Sequence, residues 1–315
     1  LFNKKGIALS LVLLLAVGVV FGASGQVDAW WPFGGDDKEE QEQTYVQVKG
    51  SDTIVNLAQT LAEDYMTENP DYSLAVTGGG SGTGIAALIN DKIDIADASR
   101  AMKDKEVEQA KANGVKPYRF VIAMDGLSVI VNENSPVKEL TIDEIGAIYR
   151  GEITNWKEVG GPDKEISLYG RQSNSGTFVY FRDNVLKGDY SAHMKRMNGN
   201  AQIVEAIKAD KSGIGYVGIG YVVKNGKVVN GLNVLNVAKD VNSKAASPLK
   251  PENVKTGAYP LARPLNQYTN GAPEGIVLDF IKYELSEEGQ QTAIEEGFYP
   301  VSPEYQKINE KNLNN

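Results

Sequence analysis

The sequence predicts an α/β protein, and three observations carry that expectation. From Tyr45 onward short apolar runs alternate with amphipathic stretches, the rhythm of strand followed by helix. Small polar clusters recur where a strand hands over to a helix. With 315 residues, 42% of them hydrophobic and 23% charged, the chain can fill one large or two medium domains.

Taken in order, "TYVQVKG" reads as a strand and "SDTIVNLAQTLAEDYMTENP" as a helix, with Ile54, Leu57, Leu61 and Tyr65 on one face. Ser51 is placed to cap that helix and Pro70 to stop it. "YSLAVT" is the next strand and ends in the glycine-rich "GGGSGTG"; "IAALIND" continues as a short helix and "KIDIADAS" as a strand. After "RFVIAMDGLSVIVN" the rhythm restarts: "TIDEIGAIYRG" as helix, "EISLYG" as strand, then "SGTFVYFRDNVL" and "AQIVEAIKAD" as helices. Asn225-Gly226 between β-branched runs in "VVKNGKVV" predicts a hairpin. "EGIVLDFIKYELS" and "EEGQQTAIEEG" return to helix.

Before Tyr45 the pattern differs. Lys4 and Lys5 precede an apolar run from Ile7 to Phe21, shorter than a membrane span needs, and then small residues and "VDAWW". Residues 1–29 therefore read as an export signal cut after Ala29, or as a retained anchor. Residues 30–43, polar and acidic without periodicity, read as a disordered tether. The chain has no cysteine, so a lipidated cysteine, a disulfide and a thiolate metal site are all excluded. Loss of residues 1–29, with two lysines and one aspartate, makes the chain one unit more negative than its formal −9. Such a chain repels nucleic acid, and any anion must be held by local geometry.

Four clusters supply that geometry: "GSDT" (50–53), "GGGSGTG" (78–84), "ASR" (98–100) and "RQSNSGT" (171–177). In α/β sheets ligands bind beyond the carboxyl ends of strands, where backbone N–H groups point outward. A nucleotide site fails because "GGGSGTG" lacks the P-loop lysine, and "GIGYVG" (213–218) follows "KADKS" without a βαβ unit around it. A serine hydrolase built on Ser81 or Ser175 is the lesser alternative, because "GGSGT" departs from the nucleophile-elbow pattern with Thr83 in place of the final glycine. The single histidine, His193, lies in the polar "SAHMKRM", where a solvated surface position is the plain reading. Asp91, Asp94 and Asp97 lack a calcium-loop pattern, so neither metal nor cofactor is expected.

A compact oxyanion remains. The hydroxyls of Ser51, Thr53, Ser81, Ser99, Ser175 and Thr177 are uncharged donors, main-chain amides near Thr53, Gly82 and Gly176 can approach closely, and Arg100 and Arg171 can each fork two oxygens. A helix cap is the plain reading of each serine alone; the shared placement of all four clusters argues against it.

From about Tyr45 to Pro300 the sequence resembles the phosphate-specific substrate-binding proteins of ABC importers, through "GSDTI", "GGGSGTGI", "DIADASRAM", "ITNWKEVGG", "RQSNSGT" and "GIGYVG". The resemblance implies the two-lobed periplasmic-binding-protein fold (type II): two α/β lobes, a two-strand hinge and a ligand cleft between them. It implies lobe 1 from 44–126 plus 262–315 and lobe 2 from 127–261, with crossovers near "AMDGLSV" and "YPLARPL". It assigns inorganic phosphate to Ser51, Asp52, Thr53, Ser81, Gly82, Ser99, Arg100, Arg171, Ser175, Gly176 and Thr177. The implied function is non-enzymatic: an exported, monomeric receptor, periplasmic or at the cell surface, delivering phosphate to the permease subunits. Where part of that family has a carboxylate to accept the phosphate proton, this chain reads "ASR". Asp52 or Asp97 is then the candidate acceptor, and sulfate, arsenate or molybdate are the competing ligands.

Overall fold

The computed structural model describes residues 44–224 and 226–314, so the expectations for residues 1–29 and 30–43 lie outside the described residues. Two five-stranded sheets organise the rest. In spatial order the first holds Tyr72–Thr77, Thr44–Gly50, Ile95–Ala98, Ala262–Asn270 and Pro117–Gly126. Its first three strands are parallel, whereas Ala262–Asn270 runs antiparallel to both neighbours. The second holds Leu232–Val234, Ser128–Asn132, Gly213–Val217, Ser167–Arg171 and Lys195–Met197. "GIGYV", which as a pattern mimics a dinucleotide fingerprint, is the buried central strand of this second sheet.

The chain passes from one sheet to the other between Gly126 and Ser128, and returns just before Ala262. At this double crossing Asp125 and Arg263 are cross-strand neighbours. The C-terminal helix Pro303–Leu313 closes on the first sheet, where Asn309 Oδ1 accepts from Val121 N (2.9 Å) and its Nδ2 donates to Val121 O (2.8 Å).

Helices form where the apolar periodicity falls at 3.6 residues. Val55–Glu68 buries Leu57, Leu61 and Tyr65, and Ile54 packs beside them. Ser51 does not cap this helix: residues 51–54 form a turn first, in which Ser51 Oγ accepts from Thr53 N at 3.2 Å. Asn69 ends it ahead of Pro70. The helix after the glycine-rich turn starts at Ser81, earlier than its apolar pattern implies, and runs Ser81–Ile89. Thr141 and Ser175 are true N-caps, accepting from Glu144 N and Phe178 N. The strands Val223–Lys224 and Lys227–Val228 pair antiparallel, as a hairpin requires.

Candidate functional site

Three of the polar clusters leave the first sheet and one leaves the second, and folding brings their hydroxyls into contact. Thr53 Oγ1 lies 2.9 Å from Thr177 Oγ1, which lies 3.3 Å from Ser99 Oγ; Ser99 Oγ lies 3.3 Å from Ser81 Oγ. Ser51, Thr53, Ser81, Ser99, Ser175 and Thr177 are all buried. Two short links hold the first-sheet turns together: Ser51 N donates to Asp97 O (3.0 Å) and Ser99 N to Ser81 Oγ (3.0 Å). Gly176 allows the other sheet to approach, because a Cβ there would collide with Ser81 Oγ and Ser99 Oγ. Gly80 adopts φ 91° against Asn174 O, a conformation and a spacing that a side chain would oppose.

Arg171 ends the strand Ser167–Arg171 and is 1% exposed. Its Nη2 donates to Asp52 Oδ2 and, at 2.8 Å, to Asn198 O. Its Nε and Nη1 are buried without a hydrogen-bond partner among the described residues. Asp52 Oδ1 accepts from Gly79 N at 2.7 Å, so this carboxylate ties two first-sheet turns to the arginine of the second sheet. Buried N–H groups of a guanidinium are costly to leave unpaired, and an anion is the partner that answers them.

Three expected donors are otherwise engaged. Arg100 turns away from the hydroxyls: its Nη1 and Nη2 each meet a Glu106 oxygen at 2.7 Å, and Nη1 also meets Ala101 O. Arg100 follows its serine by one residue and the helix Asp104–Ala112 presents Glu106 to it, so a bidentate ion pair forms locally. Gly82 sits beside the cluster, but its N–H donates to Asn174 O at 2.9 Å. Thr53 N is likewise spent on Ser51 Oγ. Asp97 does not face the hydroxyls either. It is the cross-strand neighbour of Gln267, whose Nε2 donates to Glu284 Oε1 at 2.9 Å. Burial pushes the Asp97 carboxyl up to about 7 and the Glu284 carboxyl well above the usual range.

Neither candidate nucleophile is paired with the single histidine. Ser175 Oγ accepts from Phe178 N (3.3 Å), and His193 is exposed. Beside the cluster a cavity of about 390 Å³ is bordered by Ser99, Arg100, Arg119, Tyr180 and Arg263.

A family model described as the PBP superfamily domain matches residues 37–288. A phosphate-binding protein PstS of Staphylococcus aureus (strain MRSA252) is 34% identical over 304 residues, 94% of this chain and 86% of the relative. The chain belongs to the PstS family of the PBP superfamily. A Pseudomonas aeruginosa PstS is 32% identical over 80% of this chain and 81% of its own length. Among solved structures, a putative phosphate ABC transporter substrate-binding protein with bound phosphate from Clostridium perfringens superposes with a TM-score of 0.72. It is 30% identical, and the match covers 82% of this chain and 100% of that one. An ABC-type phosphate transport receptor from Vibrio cholerae gives 0.67 at 27% identity, over 81% and 100%.

Within this member of the PstS family, four contacts between the sheets involve residues that sequence reasoning missed. Asn174 Nδ2 donates to Gly79 O (2.9 Å), while Asn200 Nδ2 (3.1 Å) and the Tyr221 hydroxyl (2.5 Å) both donate to Asp52 O. Burial, and after it the Asp52 charge, pushes the Tyr221 phenol up to about 12, which keeps it a neutral donor. The fourth is Arg263, whose Nη2 donates to Thr177 Oγ1 at 2.9 Å. "YPLARPL" marks it only as a cation inside a strand, and a strand-borne arginine that is 1% exposed has to find several acceptors.

Proposed function

We propose that the chain is an extracytoplasmic receptor that captures inorganic phosphate between two lobes and delivers it to the permease subunits of an ABC importer. One observation carries the reading: uncharged hydroxyls from both sheets converge beside Arg171, a buried cation with two N–H-bearing nitrogens lacking partners. Such a site prefers a small anion with several acceptor oxygens. The names of the relatives and the phosphate-bound neighbour support phosphate as that anion.

On this reading lobe 1 comprises residues 44–126 and 262–315 and lobe 2 residues 127–261. The ligand is held by Ser51, Thr53, Ser81, Ser99, Arg171, Ser175, Gly176 and Thr177. Asp52 accepts the phosphate proton, since each of its carboxylate oxygens keeps a second lone pair beyond the contacts to Gly79 and Arg171. Asp97, buried beside its cross-strand neighbour Gln267, is not assigned that role. Residues 1–29 direct export, the receptor acts as a monomer, and it does no chemistry on its ligand.

A thermal-shift panel of phosphate, sulfate, arsenate and molybdate on the chain lacking residues 1–29 tests the reading, because a ligand raises the melting temperature by mass action. Phosphate and arsenate should stabilise most. Greater stabilisation by sulfate would remove the phosphate assignment and the role of Asp52 with it.

A further inference from the structure

We infer that Arg263 is a positioning residue of the anion site: by donating to Thr177 Oγ1 it fixes where that hydroxyl sends its proton, and so the polarity of the hydroxyl chain facing the ligand. The inference rests on the phosphate-receptor reading and adds a residue that none of the four small-residue clusters contains.

A hydroxyl has one O–H to give and two lone pairs to receive with, and an uncommitted rotor donates or accepts with little preference. An oxyanion site needs the donor orientation. Arginine has donors only and stays protonated, so a guanidinium N–H aimed at a hydroxyl oxygen always fills a lone pair. Thr177 Oγ1 receives such an N–H from Arg263, and its own hydrogen is driven toward Thr53, Ser99 or a bound anion. At the far end of the chain, Ser99 N fills a lone pair of Ser81 Oγ in the same way. The two hydroxyls on either side of Ser99 Oγ each have a lone pair already filled, which favours them as donors.

The remaining contacts of Arg263 explain how it is held and why its charge is not the point. Nε donates to Asp125 Oδ2 (2.9 Å) and Nη1 to Ser99 O (3.0 Å); Asp125 Oδ1 accepts from Ile219 N (2.9 Å). Asp125 and Arg263 are 0% and 1% exposed, so the guanidinium charge is neutralised at the hinge. What reaches the ligand is orientation. Nη2 also lies 2.8 Å from Asp125 Oδ2, so this one nitrogen turns one hydrogen to the hinge carboxylate and the other to Thr177 Oγ1. Because Arg263 belongs to the first sheet and Thr177 follows a strand of the second, the contact exists only while the two are apposed.

A double-mutant cycle on phosphate affinity, measured by calorimetry on the full chain, tests this with Arg263→Gln, Thr177→Val and the pair. Arg263→Gln should weaken phosphate about tenfold or more, the usual effect of a charge-assisted contact. In the Thr177→Val background the same change should cost less than about threefold, because no hydroxyl remains to orient. Thr177→Ser, which keeps the hydroxyl, should restore the full Arg263 effect. Arg263→Lys keeps the charge but cannot span three acceptors, and should resemble Arg263→Gln. Removing Arg263 alone strands the Asp125 carboxylate, so the cycle is repeated with Asp125→Asn, with the melting temperature without phosphate as the control for folding. An additive cycle with wild-type binding intact overturns the orienting role and leaves the receptor reading standing. No phosphate binding by the wild-type chain overturns that reading, and this inference with it.

Discussion

Two polar regions flank the same short strand, Ile95–Ala98, and they carry opposite surpluses. At its carboxyl end Ser99 joins a buried chain of hydroxyls, and Arg100 and Arg171 hold buried N–H groups without acceptors among the described residues. Within it, Asp97 is the cross-strand neighbour of Gln267, which donates to Glu284, and Asp97 Oδ1, Gln267 Oε1 and Glu284 Oε2 are acceptors without donors among the described residues. Both regions are buried, so neither can be left to water. A surplus of donors is answered by an anion. A surplus of acceptors is answered by protons, and burial raises both carboxyls toward their neutral forms. The same low-dielectric interior therefore favours an anion in one place and the neutral forms of two carboxyls in the other, according to which sign of hydrogen-bonding capacity is in excess.

Four experiments can break or sharpen that contrast. The largest effect belongs to Arg171→Ala, which removes the unpaired donors and leaves Asp52 without its cation: phosphate affinity by calorimetry should fall about a hundredfold or more. Unchanged affinity would mean that the donor surplus at Arg171 is not what holds the anion. Gly176→Ala follows, since its Cβ collides with Ser81 and Ser99; affinity should drop about tenfold, with a smaller ligand-induced compaction in small-angle scattering. Arg100→Met should change affinity by less than about threefold while destabilising the fold by about 1 to 2 kcal/mol in denaturant titration, because its guanidinium serves Glu106. A large loss of binding in that variant would return Arg100 to the site.

Asp97→Asn should leave phosphate affinity alone and act on the pH dependence of stability. A folded-state pKa raised to about 7 favours the protonated carboxyl in the native protein. Its stabilising contribution is complete below the ordinary carboxylate range of about 4 and is lost as pH rises through about 7. The amide does not titrate, so melting temperature plotted against pH should decline less steeply over that interval in the variant. An unchanged slope would show that Asp97 is not the group responsible.

Much of this protein is legible without coordinates because the information is local. Period-2 and period-3.6 apolarity mark the strand Tyr72–Thr77 and the helix Asn200–Ala209, and small residues after strands mark the turns that carry Thr53, Ser81, Ser99 and Thr177. Other features were not legible. Ser51 looks like a helix cap but sits one turn too early, since only the backbone path decides where the first helical hydrogen bond closes. Asn200, Tyr221 and Arg263 lie outside the four clusters, and Asn174 inside one of them has no role the pattern reveals, because each acts across a sheet boundary on a partner far away in sequence.

The sequence by itself determined the α/β architecture, the donor-rich chemistry of four turns, and the absence of a cysteine and of a histidine placed beside a candidate nucleophile. Residue type and spacing suffice for such statements. Only the tertiary structure decided which of two arginines in equivalent-looking turns was free. Arg100 and Arg171 are chemically identical and both are buried, yet Glu106 and Ala101 O occupy both terminal nitrogens of one and leave only its Nε without a partner among the described residues, whereas Asp52 and Asn198 occupy a single nitrogen of the other. Whether a charged group can meet a ligand depends on the acceptors already within hydrogen-bonding reach, and that is a property of distances in space.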